Sequence, residues 1–198
     1  MAGTASAAGA QAVNFIANLT SNQEAPGVLQ GLTNPTRTPF GTATFTLNAA
    51  RTQLSMVANI TGIDFTTSQT PGTNDNLTAA HIHAPALPLN TAGVVWGFFG
   101  SPFHDLNSSS GANCVAFNLG VGGTCTAVWD VGEGNSTTLT AQIPNLLNNL
   151  AYINFHTVQN PQGEIRGQIN VVPEPSSVAL FGSGLLGLAA FAYRRRRV

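Results

Sequence analysis

The stretch that decides the fold is Tyr152–Ile169, with the sequence YINFHTVQNPQGEIRGQI. Apolar and polar side chains alternate on both sides of the run Asn160-Pro161-Gln162-Gly163, which consists of turn-forming residues. A period of two indicates a strand with one buried face, so the stretch predicts a β-hairpin. In this register the isoleucines and Phe155 face the core, whereas His156 and Arg166 lie on the opposite face.

The rest of the body consists of further short segments of strand character, separated by turns rich in Gly, Pro and Asn. The predicted strands are 13–20, 40–48, 53–61, 78–84, 94–99, 114–119 and 124–131. The second and third of these are expected to form another hairpin because their connection is short. Helical spacing occurs at 139–150, where Pro144 limits the helix to a short one. Many short strands with frequent turns favour a β-sandwich or barrel.

The composition argues against several classes of protein. The chain has 198 residues, of which 43% are hydrophobic but only 8% are charged, against about a quarter in an ordinary soluble domain. Thr, Asn, Ser and Gly supply the polar surface instead, which suits an extracellular β-protein. The cations of residues 1–172 are Arg37, Arg51 and Arg166. Because these do not form a basic patch, the sequence argues against nucleic-acid binding.

The two ends of the chain differ from the body in composition. Residues 1–12 are rich in Ala and Gly and contain small-x-small patterns, and they are expected to be the remnant of an export signal or a disordered leader. At the other end, Pro173-Glu174-Pro175 precedes an uncharged apolar run at 178–193. This run predicts a helix close to the roughly 20 residues that a bilayer span needs. The chain closes with Arg194, Arg195, Arg196 and Arg197, which would stay in the cytoplasm.

The order of these C-terminal segments resembles a PEP-CTERM sorting signal. Such signals occur on exported proteins of Gram-negative bacteria that make exopolysaccharide. The resemblance covers residues 173–198 and implies recognition by an exosortase-type enzyme, with cleavage near Pro173-Glu174-Pro175. It also implies transient anchoring in the inner membrane, followed by delivery to the cell surface or the extracellular matrix.

Residues 13–172 form the predicted domain, and several of its segments resemble the CHRD domain, named for the developmental protein chordin. These segments are Asn14–Pro26, Gly41–Asn48, Thr78–Ala86 and Tyr152–Ile169. The resemblance implies an all-β immunoglobulin-like or Cu,Zn superoxide dismutase-like β-sandwich, followed here by the C-terminal apolar helix. It implies no established biochemical activity. The region 101–131 and the loop 30–39 depart from the family pattern.

Two cysteines flank a Gly-rich turn between two of the predicted strands. In an exported protein, Cys114 and Cys125 are expected to form one disulfide across this hairpin, and two buried thiols are the alternative. No CxxC pair or further cysteine offers a structural zinc site.

Three histidines are candidate metal ligands. His81 and His83 are separated by one residue of a predicted strand and therefore share a face, and His156 lies on the corresponding face of the hairpin. If the two strands are neighbours, the imidazoles could converge on a copper or zinc ion. This arrangement is similar to the copper site of Cu,Zn superoxide dismutases. A second metal site is not evident, since His104 beside Asp105 is the only further imidazole.

The same residues also allow a purely structural interpretation. Each histidine could donate a hydrogen bond to a loop carbonyl or to Glu164. The hairpin residues Asn160, Pro161, Gly163, Glu164 and Arg166 are interpreted as turn anchors, with the two charged ones as a surface pair. No hydrolase elbow, phosphate loop or metalloprotease motif is present.

The sequence therefore favours a non-enzymatic surface or matrix protein with no assured cofactor, in contact with exopolysaccharide, envelope proteins or itself. The alternative is a surface domain that binds copper or zinc through His81, His83 and His156. Such a domain could also carry out superoxide dismutase-like redox chemistry.

Overall fold

The computed structural model describes residues 11–29, 37–107 and 114–173. These residues form ten strands, a 3-10 helix at Ser21–Gln23 and one α-helix, so the predicted all-β class is confirmed. The elements are β1 (Val13–Thr20), β2 (Phe40–Leu47), β3 (Gln53–Thr61), β4 (Leu77–His83), β5 (Val94–Phe99), β6 (Cys114–Ala116), β7 (Gly122–Asp130), α1 (Leu139–Leu147), β8 (Tyr152–Thr157), β9 (Ile165–Gln168) and β10 (Asn170–Val171).

Main-chain hydrogen bonds join the strands into one antiparallel sheet that is nearly closed. The order is β5-β4-β8-β9-β1-β2-β3-β7-β6, with β10 paired to β1. All three predicted hairpins are present, in the pairs β2–β3, β6–β7 and β8–β9. The sheet curls so that the end strand β5 lies against β7, the neighbour of the other end strand, and Trp96 of β5 stacks on Trp129 of β7 with ring centroids 5.4 Å apart. Main-chain Glu133 O accepts a hydrogen bond from Trp129 Nε1 beside this contact.

The hydrophobic core fills the inside of the curled sheet. On β2 and β3, buried and exposed residues alternate strictly, as the period of two predicts. The largest core side chains include Phe15, Phe45, Phe98 and Phe155, in addition to the two tryptophans. Each fully buried side chain of this size contributes about 1.5–3 kcal/mol to stability.

The outer face of the sheet is covered over β4, β8 and β9. Every residue of β8 and β9 is buried, although only alternate side chains reach the core. Segments 21–28, 84–93 and 101–106 lie over this face and bond to its polar side chains. The interpretation of Glu164 and Arg166 as a surface pair is wrong, since they are 0% and 1% exposed. Glu164 instead forms its ion pair with Arg37.

Some of the other local predictions concern residues that the structure describes, and others concern residues that it does not describe. The short helix is confirmed as α1, which Thr138 caps by accepting a hydrogen bond from Ala141 N at 3.3 Å. The disulfide between Cys114 and Cys125 is present and joins β6 to β7. The leader at 1–10, the apolar run at 178–193 and the terminal arginines lie outside the described residues. Within the described ranges, no helix is long and apolar enough to cross a membrane.

Candidate metal centre

Three histidines on two paired strands converge on the covered face of the sheet. On β4 and β8, His81 is opposite Asn154, and Ala79 is opposite His156. One ring nitrogen from each of His81, His83 and His156 lies within 4.8 Å of the others. The three residues, the histidine cluster, are only 4%, 7% and 6% exposed. The structure therefore brings together the three residues that the spacing of the sequence singled out.

Backbone carbonyls select the tautomer of each imidazole in the histidine cluster. His81 Nε2 lies 3.1 Å from Ser101 O, His83 Nδ1 lies 3.0 Å from Ala92 O, and His156 Nδ1 lies 3.0 Å from Pro161 O. A carbonyl oxygen only accepts hydrogen bonds, so each of these nitrogens carries the proton. A neutral imidazole has one N–H, and its other nitrogen then carries a lone pair.

The nitrogens left with lone pairs are His81 Nδ1, His83 Nε2 and His156 Nε2. The first and the last are 3.1 Å apart. His83 Nε2 is buried and makes no hydrogen bond to the described residues. Metal–imidazole bonds are about 2.0–2.1 Å long, and two nitrogens bound to one ion are then separated by about this distance. The donor types suit a copper or zinc ion. The widest separation among the three ligand atoms is 4.8 Å, which exceeds twice this bond length, so the imidazoles would have to move closer together to share one ion.

Burial keeps these imidazoles neutral. It lowers the pKa of His81 to about 3, and the pKa falls further because His156 and His83 are close. Burial likewise lowers the pKa of His83 to about 4 and lowers that of His156. Neutral imidazole is the form that binds metals, so no proton has to be displaced from the cluster near neutral pH.

The loop after β5 positions His81 and accounts for the fourth histidine. Gly97 lets this loop approach, because a Cβ there would lie 1.8 Å from Pro102 O and 2.9 Å from His81 Cδ2. His104 Nδ1 accepts a hydrogen bond from Gly97 N at 3.3 Å, and His104 N donates to Gly97 O at 2.7 Å. His104 thus holds the loop that carries the Ser101 carbonyl, and it is not part of the histidine cluster.

The turn of the last hairpin positions His156. Gly163 N donates to Asn160 O at 3.0 Å, which closes the turn that presents Pro161 O to the imidazole. The buried Glu164 carboxylate accepts hydrogen bonds from Thr157 Oγ1 and Asn160 Nδ2 and pairs with Arg37. The predicted turn residues therefore anchor the hairpin, but they do so from the interior.

A column of three stacked groups positions His83. Its ring lies parallel to that of Tyr152, at 4.7 Å and 2°. The Arg166 guanidinium covers the other face of Tyr152, 3.5 Å from the ring centroid. Arg166 also donates to Asn90 O at 2.7 Å and Leu87 O at 3.2 Å. It thereby ties the loop that supplies Ala92 O to the sheet.

Glu24 is the carboxylate that faces this column. Glu24 Oε1 accepts a hydrogen bond from Asn154 Nδ2 at 3.0 Å. Burial raises the pKa of Glu24 to about 7, although the positive charge of Arg166 partly opposes the shift. Gly163 makes room for this contact, because a Cβ there would lie 2.1 Å from Asn154 Nδ2 and 2.6 Å from Glu24 Oε1.

Comparison with known families agrees with this architecture. The CHRD domain model matches residues 15–169. The chain belongs to the CHRD domain family. The PEP-CTERM protein-sorting motif matches residues 171–197. This motif implies export to the cell surface and processing by an exosortase-type enzyme, so both resemblances read from the sequence are confirmed. No curated protein and no solved structure matches the chain.

Within the CHRD domain, several supporting groups were not predicted from the sequence. Tyr152 and Asn154 share the strand face of His156, so parity could have placed them beside the cluster. Glu24 lies 130 residues before Asn154, and no local pattern connects the two. The three carbonyls carry no sequence signal, because every residue has one.

Proposed function

We propose that this CHRD domain is an exported, non-enzymatic protein that binds one copper or zinc ion through His81, His83 and His156. The arrangement of the lone pairs carries this proposal: three carbonyls hold the protonated nitrogens, the lone pairs of His81 and His156 lie 3.1 Å apart, and one nitrogen of His83 lies within 4.8 Å of the cluster. A purely structural role explains the three hydrogen bonds but leaves His83 Nε2 buried without a hydrogen bond of ordinary geometry, although the Asn154 side chain interacts with this imidazole. An unsatisfied buried nitrogen costs about 1–3 kcal/mol, and a bound ion would remove that cost.

The burial of the cluster favours binding over catalysis. A bound ion would supply a Lewis-acid or redox centre, and the three imidazoles would hold it from the sheet side. Because these residues are at most 7% exposed, a substrate has little access to the ligands. Superoxide dismutase-like chemistry would need the small superoxide anion to enter, and it remains the alternative activity.

The C-terminal sorting segment determines where the protein would act. We infer three segments: a leader at 1–12, a CHRD body at 13–172 and a sorting segment at 173–198. The curled sheet supports a sandwich of the immunoglobulin-like or superoxide dismutase-like kind for the body. Cleavage near Pro173-Glu174-Pro175 would release this body from transient anchoring by the apolar run into the surface layer or extracellular matrix.

A second role is supported by the exposed face of β1, β2, β3 and β7. The register aligns Asn18, Thr42, Asn59 and Thr124 in one row across the four strands. Away from Asp130 at the end of β7, the outward-facing side chains of this face are uncharged. They are Asn14, Ile16, Asn18, Thr42, Thr44, Thr46, Ser55, Val57, Asn59, Thr124, Thr126 and Val128. Such a hydroxyl- and amide-rich face suits contact with exopolysaccharide or envelope proteins.

Metal analysis tests the first role. The full-length protein in mild detergent is loaded separately with Cu(II) or Zn(II), dialysed and analysed for metal, and its thermal unfolding is followed. We expect one equivalent of copper or zinc and a higher melting temperature. His83→Ala and His156→Ala should lose both effects.

Asp130→Asn supplies the control, since it removes a potential metal ligand outside the histidine cluster and should keep the metal. A protein that retains neither ion, whose unfolding temperature ignores both, and that also takes up no Cu(I) in the absence of oxygen would overturn the metal-binding role. Equal retention by wild type and His83→Ala would show binding elsewhere on the chain.

A further inference from the structure

The donors of the histidine cluster carry no charge to offset that of a metal ion. In the described part of the chain, the group that could hold an ion consists of His81, His83 and His156, without a carboxylate or thiolate. All three imidazoles are neutral in the tautomers that the carbonyls select. A bound ion would therefore keep its full formal charge inside the protein.

The nearest buried cation adds to that charge. The Arg166 guanidinium lies 3.5 Å above the Tyr152 ring, and this ring stacks at 4.7 Å on His83. Arg166 is 1% exposed, so water screens its charge poorly. Glu24, 8% exposed and bonded to Asn154, is the carboxylate that faces Arg166 and offsets its charge.

These charges favour a monovalent ion. The cost of moving an ion from water into a protein interior rises with the square of its charge, so a divalent ion pays about four times the cost of a monovalent one. Repulsion by a buried guanidinium also doubles with the charge of the ion.

The number of donors points the same way. Zinc sites in proteins are almost always four-coordinate, whereas the cluster offers three nitrogens and the imidazoles are buried. Monovalent copper carries half the charge of zinc, so fewer donors are needed to stabilise it and three nitrogens can suffice. Imidazole is a suitable ligand for copper.

From this charge balance and donor count, we propose that the histidine cluster selects Cu(I) over Cu(II) and Zn(II), with Arg166 and Glu24 as the residues that set the selectivity. The proposal rests on the metal-binding function above and names the ion that this site would take.

Competition against chromophoric chelators tests the selectivity. Full-length protein is titrated without oxygen against a Cu(I) chelator, and separate samples are titrated against chelators for Cu(II) and Zn(II). We expect one equivalent of Cu(I), bound at least about tenfold more tightly than either divalent ion. His83→Ala should lose Cu(I) binding.

Variants of the two charged residues test the cause. At pH 8, Glu24→Gln removes the carboxylate that offsets Arg166 and should raise the preference for Cu(I) over Cu(II) by about tenfold. Arg166→Gln should lower this preference, whereas Arg166→Lys should keep more of it. Asp130→Asn removes a carboxylate at the far end of β7 and should leave the ratio unchanged.

Each outcome bears on a different statement. Retention of no metal would overturn the proposed function together with the selectivity. Tighter binding of Zn(II) or Cu(II) would overturn the selectivity alone. If Arg166→Gln does not fold, Glu24→Gln decides: an unchanged ratio would show that these charges do not set the preference.

Discussion

His81 Nδ1 lies 3.1 Å from His156 Nε2, and both nitrogens carry lone pairs in the tautomers that the structure selects. Ser101 O and Pro161 O hold the protons on the opposite nitrogens of the two rings. Two facing lone pairs repel each other, and either a proton or a metal ion would relieve that repulsion. Burial lowers both pKa values, so a metal ion is the better partner at neutral pH.

Acid should destabilise the metal-free protein through the buried histidines. The pKa of His81 is lowered to about 3 and that of His83 to about 4, and that of His156 is also lowered. The stability that neutral imidazoles contribute is therefore complete above pH 6.5 and is lost as the pH falls toward these values. Each histidine costs about 1.4 kcal/mol per pH unit in that window. Urea unfolding between pH 7.5 and 4.5 with a chelator present measures the loss.

The effect of Glu24 on the pH dependence of stability is opposite to that of the histidines, so a Glu24 variant serves as the control. The pKa of Glu24 is raised to about 7. The stability that the neutral carboxyl contributes is therefore complete below pH 4.5 and is lost as the pH rises through 7. Glu24→Gln should therefore be more stable than wild type at pH 8 and lose stability more steeply on acidification. Stability that stays constant from pH 7.5 to 5 in both proteins would contradict the buried, neutral cluster.

The stacked column should control metal affinity through the orientation of His83. Tyr152→Leu removes the ring that lies parallel to His83 and beneath Arg166, and it should weaken metal binding about tenfold or more. Tyr152→Phe keeps both stacks but loses the hydrogen bonds between the Tyr152 hydroxyl and Ala92, so it should weaken binding less than Tyr152→Leu does. Chelator competition gives the affinities, and nitrogen-15 NMR of the imidazole gives the tautomer. Equal metal affinity of the two Tyr152 variants would show that the stacked column does not contribute to metal binding.

The ion pair between Arg37 and Glu164 should stabilise the last hairpin. Glu164 is fully buried, and Arg37 also donates to Gly62 O at 2.7 Å. Arg37→Met leaves a buried carboxylate without its cation and should cost about 3 kcal/mol in the free energy of unfolding. Adding Glu164→Gln should recover part of this loss.

Urea unfolding of the two single variants and the double variant measures the coupling between Arg37 and Glu164. Arg51→Met serves as the control, because Arg51 forms no ion pair among the residues that the structure describes, and it should change stability by less than about 0.5 kcal/mol. Strict additivity of the Arg37 and Glu164 variants would mean that the pair contributes nothing.

The disulfide should stabilise the edge of the sheet without affecting the histidine cluster. Cys114 and Cys125 are 11 residues apart in sequence, and closing a loop of this length contributes about 2–3 kcal/mol. Cys114→Ala/Cys125→Ala should therefore unfold at a lower temperature. Its metal affinity should not change, because β4 and β8 pair with neither β6 nor β7. Titration of two thiols in the unfolded, unreduced wild type would contradict the bridge.

Much of the strand layout could be predicted because alternation and turn residues are local signals. The hairpin β8–β9 and the face of His156 follow from residues within one stretch of sequence. The burial of Glu164 and Arg166 could not be predicted in this way. Parity tells which side of a sheet a residue takes, but the cover over that side comes from segments 21–28, 84–93 and 101–106, which are distant in sequence.

The sequence by itself determined the all-β class, the hairpins, the CHRD and PEP-CTERM assignments and the candidate pairing of His81 and His83 with His156. These follow from periodicity and from motifs that neighbouring residues complete. Only the tertiary structure decided that β4 lies beside β8, that loops bury the imidazoles and that three carbonyls select their tautomers. The physical reason is that a hydrogen bond to a main-chain carbonyl depends on where the backbone passes in space, which no side-chain pattern records.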